Sequence, residues 1–125
     1  MANADLLGRV FAVLSAADVD ALVDLYTDDY VLELPYAKPE ARRVEGLDAV
    51  VPYLRRAFEI VRFTLTITEV YDLASGDGAV AEYTSTGRNL QQDTAFANRY
   101  IGLWRFRGDR VCFTREFYDP MRAAT

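Results

Sequence analysis

The spacing of hydrophobic residues divides the chain into a helical N-terminal half and a β-rich C-terminal half. In the first half the apolar positions recur every three or four residues, the period of an amphipathic helix. This period predicts one helix from near Leu6, a second over Asp18–Tyr26 and a third over Leu47–Val61. Asp18 is the expected N-cap of the second helix. A short β-rich run, Tyr30–Leu34, separates the second and third helices and ends at Pro35.

From Arg62 onward the period changes to two, which is typical of β-strands. Four strands are predicted, at residues 62–73, 79–89, 95–107 and 110–118, with Gly- and Asp-containing turns or a polar segment between them. Helices followed by an antiparallel meander predict an α+β fold of the order α-α-β-α-β-β-β-β. In such a fold three helices pack on a strongly curved, mostly antiparallel sheet and leave a cone with an open mouth. No linker interrupts the chain, so one domain spanning residues 1–125 is expected.

The composition of the chain indicates which kinds of partner and which cellular location to expect. The chain is 51% hydrophobic and contains eight Tyr, seven Phe and one Trp, which suits an aromatic-lined cavity as well as a core. A net charge of -5 without a basic stripe argues against nucleic acid and against an anionic membrane surface. No apolar run approaches the roughly 20 residues that cross a bilayer, and the N-terminus lacks the basic flank of a signal peptide. A cytoplasmic location is therefore expected.

The absence of histidine is the most restrictive feature of the composition. It excludes Ser-His-Asp and Cys-His nucleophilic sites and removes the commonest metal ligand. The single cysteine, Cys112, excludes an internal disulfide. Because only scattered carboxylates remain as ligands, we expect no metal site and no cofactor. Acid/base chemistry must then come from Asp, Glu, Tyr or groups whose pKa is tuned by Arg.

Glu116 is the residue whose chemistry stands out, because it lies within an aromatic-rich last strand. A carboxylate there either faces water or lies in a pocket with a raised pKa, where it can transfer a proton. Strict alternation groups Val111, Phe113 and Phe117 on the apolar face and so predicts that Glu116 faces water, paired with an arginine of the neighbouring strand. Because the other face of a curved sheet can also be covered, a pocket position for Glu116 stays open.

The strand before it carries a second set of candidates. Alternation places five side chains on one face: Asn98, Tyr100, Gly102, Trp104 and Phe106. The combination of an amide, aromatic rings and a glycine suits the wall of a cavity. Core packing is an equally simple use for the larger aromatic residues, and a bend in the sheet is an equally simple use for the glycine.

Several motifs of the chain resemble the NTF2-like superfamily and its SnoaL-like branch. They are Leu25-Tyr26-Thr27-Asp28-Asp29-Tyr30, Val44-Glu45-Gly46, Gly108-Asp109-Arg110-Val111 and Phe117-Tyr118-Asp119-Pro120. The resemblance spans nearly the whole chain, and it implies a cone-shaped fold and a homodimer formed through the outer face of the sheet. The superfamily contains isomerases, cyclases, hydrolases, dehydratases and non-catalytic binding domains, so the fold alone does not give the activity.

One subgroup is more similar in its last two strands. Asn98-Arg99-Tyr100 and Arg115-Glu116-Phe117, followed by Pro120, are similar to the phenazine-biosynthesis A/B proteins, which condense and isomerise small ketones by acid/base catalysis. This resemblance implies that Glu116 acts as an acid in the pocket. Those proteins also use a histidine, and SnoaL-type polyketide cyclases pair an Asp with a histidine. This chain contains no histidine and so lacks both.

Ketosteroid isomerase is a further relative whose site can be tested against this sequence. Its mechanism uses an Asp base and an oxyanion hole made by a Tyr and a protonated Asp. These positions fall on Leu34, near Val10 and near Gly102, none of which carries a polar side chain. Steroid isomerisation by that mechanism is therefore excluded.

The sequence thus predicts a cofactor-independent isomerase, cyclase or dehydratase that acts on a small apolar or aromatic molecule, with Glu116 moving the proton. The expected substrate-binding residues are Asn98, Tyr100, Trp104, Tyr118, Tyr36, Tyr53 and Leu34. Tyr36 and Tyr53 are included because the loop after the first strand and the third helix flank the mouth in this fold. The alternative is a non-catalytic module that binds a small ligand or dimerises. Glu116 among enclosed polar groups favours the enzyme, and Glu116 outside favours the binder.

Overall fold

The computed structural model describes residues 2–123 and packs three helices against one six-stranded sheet. The helices are α1 (Ala2–Ser15), α2 (Val19–Val23) and α3 (Leu47–Ile60). The strands are β1 (Tyr26–Leu34), β2 (Arg42–Glu45), β3 (Val61–Asp72), β4 (Gly78–Asn89), β5 (Thr94–Arg107) and β6 (Arg110–Tyr118), followed by a 3₁₀ turn at Pro120–Arg122. The predicted α+β fold is confirmed, while residues 1, 124 and 125 of the predicted domain lie outside the described residues.

The sheet has the strand order β2-β1-β6-β5-β4-β3. Strands β3 to β6 form the predicted antiparallel meander, and β6 then pairs in parallel with β1. The strand β2 completes the sheet as an antiparallel edge strand beside β1. Register shifts interrupt the β3–β4, β5–β6 and β1–β6 pairs. Such irregularities increase the local twist of a sheet, and here they occur in the strands that surround the cone.

The segment after α1 differs from the sequence prediction in two places. The second helix ends at Val23, and Tyr26 already lies in β1, where it pairs with Val111 of β6. The predicted N-cap is present, since the Ala21 backbone N–H donates to Asp18 Oδ1 at 3.1 Å. The strand β2 is absent from the predicted order of elements, because a short, exposed edge strand with adjacent arginines shows no hydrophobic alternation.

The hydrophobic core fills the part of the cone that α1 covers. Leu7 and Val10 of α1, Leu22 of α2 and Val50 of α3 are fully buried. They belong to one cluster that also contains small and aromatic residues of β4, β5 and β6. Toward the other end of α3 the core opens into a cavity, described below.

The helices are too short to serve as membrane spans. Within residues 2–123, no helix combines the length and the apolarity needed to cross a bilayer. The two longest have 14 residues each, which at 1.5 Å per residue gives about 21 Å, against a hydrocarbon thickness of about 30 Å. The cytoplasmic location stays a prediction.

The close approach of β3 and β4 at Gly87 gives a test of this sheet. A Cβ at Gly87 would lie 2.1 Å from the Arg62 carbonyl oxygen and 2.8 Å from Phe63 Cα, and both are backbone atoms of β3. We expect Gly87→Ala to destabilise the protein by at least about 1–3 kcal/mol, because the backbone must move to admit the methyl group. Urea unfolding followed by circular dichroism measures the loss.

The matched control is Gly8→Ala on the exposed side of α1, where a Cβ meets no atom within 4 Å. That substitution should stabilise the protein by about 0.5–1 kcal/mol, because alanine loses less backbone entropy in a helix than glycine. Equal unfolding midpoints for the two variants would contradict the described β3–β4 register.

Candidate functional site

A β-bulge in β6 decides which way Glu116 points. The pairing of β6 with β5 shifts by one residue at Cys112. An extra residue in one strand inverts the alternation of side chains beyond it. Val111 and Thr114, which strict alternation would place on opposite faces, are therefore both buried, at 0% and 1% exposure. Glu116 follows two residues after Thr114 and points to the same inner side.

The expectation from strict alternation, that Glu116 faces water, is therefore not met. Phe113 and Phe117, which were assigned to the inner face, lie on the outer one. Phe117 contacts the exposed Tyr36 there, and Arg115 pairs with Glu33 at 2.7 Å. The inward face of β6 carries Thr114, Glu116 and Tyr118 instead.

Two adjoining chambers lie between α3 and the sheet, and Glu116 lines both. The inner chamber has a volume of about 190 Å³ and is enclosed by apolar and aromatic side chains of α1, α3, β1, β3 and β5. The outer chamber, also about 190 Å³, shares Leu34, Tyr53 and Tyr100 with the inner one and extends along the C-terminal part of β6. In the described part of the chain, no Lys or Arg lines either chamber.

Small residues on the neighbouring strands make room for the Glu116 side chain. Gly102 of β5 lies directly opposite Glu116, and Ala81 of β4 lies opposite Gly102. The next inward residue of β4 is Tyr83, which is 1% exposed. Its hydroxyl group reaches over this gap and donates a hydrogen bond to Glu116 Oε2.

Burial dominates the electrostatics of Glu116. It raises the pKa of the carboxyl above its ordinary value of 4.5, and the hydrogen bond from Tyr83 opposes part of that rise. The surrounding titratable groups include buried or partly buried tyrosines whose pKa values are raised in the same way: Tyr26, Tyr30, Tyr83, Tyr100 and Tyr118. Among residues 2–123, no group of three or more Cys, Asp and Glu side chains could hold a metal ion. The site is thus a carboxyl group among neutral phenols.

Tyr100 is another polar residue that lines both chambers. Its hydroxyl lies 2.6 Å from Ser85 Oγ, and its ring stacks on that of Tyr83 with centroids 5.1 Å apart. Burial raises the pKa of Tyr100 to about 12, so near neutral pH it is an uncharged phenol. A neutral phenol can donate a hydrogen bond to a carbonyl or hydroxyl oxygen in the cavity.

Most of the substrate-binding residues expected from the sequence surround this cavity. Leu34, Tyr53, Tyr100 and Trp104 line the inner chamber. Asn98 and Tyr118 join the outer chamber. The structure brings these six residues together around Glu116.

Tyr36 is the exception and lies outside the cavity. It is 54% exposed and packs edge-on against Phe117 on the outer face of the sheet, with ring centroids 5.5 Å apart. The chain turns directly after β1, where the Ala37 N–H donates to the Leu34 carbonyl oxygen at 3.2 Å. This turn carries Tyr36 away from the mouth that it was expected to flank.

Asn98 lines the outer chamber, and its side-chain amide forms hydrogen bonds with backbone atoms. Its Nδ2 donates to the Asp119 carbonyl oxygen at 3.0 Å, and its Oδ1 accepts from the Arg99 N–H at 2.8 Å. The first of these bonds holds the segment after β6 against β5. Its side chain therefore shapes the chamber and leaves one N–H of Nδ2 for a ligand.

Sequence reasoning did not select Tyr83, the residue that contacts Glu116. The inward set of β4 is Ala79, Ala81, Tyr83 and Ser85, each at most 1% exposed. Because alanine and serine are small and only weakly hydrophobic or polar, the sequence of this strand does not indicate which of its two faces is buried. The available signal was a large aromatic residue with small residues two positions away on either side, which leaves space for its ring to lean across the sheet.

Solved structures of other proteins share this fold at low sequence identity. A candidate isomerase from Bacillus subtilis superposes with a TM-score of 0.88 at 22% identity, covering 96% of this chain and 88% of that one. An NTF2-like protein from Burkholderia xenovorans gives 0.74 at 22% identity, covering 97% and 92%. A candidate polyketide cyclase from Xanthomonas campestris gives 0.83 at 16% identity, covering 96% and 92%. These likenesses show an NTF2-like fold.

Sequence comparison gives the family. An uncharacterised PhzA/B-like protein of Pseudomonas aeruginosa is 28% identical over 119 residues, which covers 94% of this chain and 84% of that protein. The family model of the SnoaL-like domain matches residues 7–113, which include all three helices in most of their length and all strands up to the bulge in β6. The chain belongs to the SnoaL-like family.

Proposed function

We propose that the protein is a cofactor-independent isomerase, cyclase or dehydratase that acts on a small apolar or aromatic molecule by acid/base catalysis. The observation that carries the proposal is the environment of Glu116. Its carboxyl group lies in an apolar cavity, with Oε2 held by Tyr83 and Oε1 left for a bound molecule. A carboxyl group placed in this way can donate and accept a proton at a substrate atom.

The raised pKa suits Glu116 to this task. A carboxyl whose pKa lies closer to neutral pH stays protonated in a larger fraction of molecules and is a stronger base once ionised. The apolar lining that raises its pKa also limits the contact of Glu116 with water, which would otherwise compete for the proton. After a proton has left, the hydrogen bond from Tyr83 stabilises the carboxylate.

The cavity restricts the class of substrate. A cavity of about 150 Å³ lined by apolar groups holds a benzene molecule, so each chamber of about 190 Å³ has room for one ring. Because no cationic side chain of residues 2–123 lines the chambers, the part of the substrate that lies inside carries no negative charge. Trp104 and Tyr53 supply apolar contact area, and Tyr100 is placed to donate a hydrogen bond to a carbonyl oxygen.

The comparisons and the geometry support an enzyme over a binding module. Two of the proteins that share the fold carry the names candidate isomerase and candidate polyketide cyclase. A module that only binds an apolar ligand gains nothing from a buried carboxyl, which costs free energy to desolvate. Here Glu116 lines the cavity together with Tyr100 and is hydrogen-bonded by the Tyr83 hydroxyl, an arrangement that favours acid/base chemistry.

Removal of the proton carrier tests this proposal. Exchange of α-protons for deuterium in D₂O is the elementary step shared by these reactions, and NMR detects it on simple ketones such as cyclohexanone, cyclohex-2-enone and 1-tetralone. We expect the protein to accelerate exchange on at least one of them. Glu116→Gln should then lower the rate by about 10²–10⁴-fold, because the amide cannot move a proton.

The matched control is Glu82→Gln, the same substitution on the opposite face of the sheet, where Glu82 accepts a hydrogen bond from the exposed Tyr71. It should leave the exchange rate unchanged. Full exchange activity in Glu116→Gln would contradict the proposed role.

We also propose that two copies of the chain associate through the outer face of the sheet. Ile101 is 46% exposed there, beside Tyr36 and Phe117, which together form an apolar patch. Of the arginines on this face, Arg115 pairs with Glu33 within the chain, and Arg99 has no ion pair among the described residues. The patch therefore offers an apolar centre with a free cation at its rim.

Light scattering after size exclusion tests the association. The wild-type protein should have twice the 14.1 kDa mass of one chain, and Ile101→Asp should have the mass of a monomer, because a buried unpaired carboxylate opposes association. Leu90→Asp introduces the same charge at a residue 49% exposed outside the strands and should stay dimeric. A dimeric Ile101→Asp variant would overturn this interface.

A further inference from the structure

Tyr83 restricts where the proton of Glu116 can sit. The hydroxyl group of Tyr83 has one hydrogen to donate, and its side chain is 1% exposed, so water does not reach it freely. Its ring is enclosed by Phe11 and Tyr100, with centroids 4.6 and 5.1 Å away. Within the described part of the chain, the acceptor that this hydroxyl reaches is Glu116 Oε2.

Among the described residues, no other neighbouring polar group accepts the hydrogen of Tyr83. Trp104 Nε1 lies on the same side, since a Cβ on Gly102 would be 2.7 Å from it and 2.8 Å from the Tyr83 hydroxyl oxygen. An indole nitrogen only donates hydrogen bonds, so it cannot accept the Tyr83 hydrogen. Ser85 Oγ and the Tyr100 hydroxyl lie 2.6 Å from each other, and among the described residues neither is a hydrogen-bond partner of the Tyr83 hydroxyl.

The protonated carboxyl can therefore adopt only one of its two arrangements without loss. With the proton on Oε2, two O–H groups would face each other, and one buried hydrogen would be left without an acceptor, which is costly. With the proton on Oε1, Oε2 stays the acceptor of Tyr83. Oε1 has no hydrogen-bond partner among the described residues, and Glu116 lines both chambers.

We propose that Tyr83 is a positioning residue that confines the proton of Glu116 to Oε1, the oxygen available to a bound molecule. The inference rests on the proposed function and names the oxygen that performs it. In the transfer step the Oε1–H bond breaks, the proton bonds to a substrate oxygen or carbon, and the electron pair stays on the carboxylate. Tyr83 keeps its bond to Oε2 throughout, so the same oxygen can take up and return the proton.

Infrared spectroscopy of the unliganded protein distinguishes the two arrangements. The carbonyl band of protonated Glu116 is assigned as the band lost in Glu116→Gln, at a pH below 4.5, where a raised pKa keeps the group protonated. If Oε2 is the carbonyl oxygen, it accepts the Tyr83 hydrogen bond, which weakens the C=O bond. Tyr83→Phe should then shift the band to higher wavenumber. An unchanged band, or a shift to lower wavenumber, would place the proton on Oε2 and overturn the proposal.

Tyr100→Phe is the matched control, because it removes a hydroxyl from the ring stacked on Tyr83 while leaving the bond to Glu116 intact. Its carbonyl band should coincide with that of the wild type. A shift as large as that of Tyr83→Phe would mean that repacking causes the effect, which would also overturn the proposal. The measurement needs no substrate, so its failure is separate from failure of the proposed function, which the proton-exchange rate of Glu116→Gln decides.

Discussion

The one-residue shift at Cys112 is the constraint on which the candidate site depends. Without it, the strand would alternate strictly, and the face that carries Val111 would not also carry Glu116. The bulge lets a buried valine close the core at one end of β6 and a carboxyl group enter the cavity at the other. A single extra residue thus allows one strand to bury Val111 in the core and also to direct Glu116 into the cavity. In an uninterrupted strand these two side chains would lie on opposite faces.

The residues around Glu116 solve the problem of burying a carboxyl group. Gly102 and Ala81 leave a gap in the wall of the cone, and Tyr83 reaches into that gap to bond one carboxyl oxygen. The bond offsets part of the desolvation cost, and burial still raises the pKa of Glu116. The same hydrogen bond that stabilises the buried group leaves its other oxygen without a partner among the described residues.

The fold followed from the sequence because its signals are local and strong. The change of hydrophobic period after α3 and the turns before β4 and β6 marked the strands to within a residue or two. The edge strand β2 was not predicted, because its exposed arginines show no hydrophobic periodicity. The short α2 was overextended because Tyr26, which reads as a helical apolar residue, is held in β1 by pairing with Val111.

The candidate site could be predicted from the sequence only in part, because the register shift in β6 changes which face of the sheet its residues occupy. The aromatic and amide residues of β5 were placed on the correct face, since no irregularity intervenes between Asn98 and Trp104. The orientation of Glu116 could not be read from alternation, because no residue type marks Cys112 as a bulge. The inward orientation of Tyr83 was not predicted either, because its neighbours on the same face are small and give only a weak hydrophobic signal.

The most direct test of this account is an NMR titration of the Glu116 side-chain carboxyl, with Glu116→Gln to assign its resonance. We expect a pKa above the ordinary value of 4.5, because the group is desolvated in the cavity. A pKa at or below that value would show that Glu116 is solvated or paired with a cation, and it would contradict the placement of Glu116 as the proton carrier of an enclosed site.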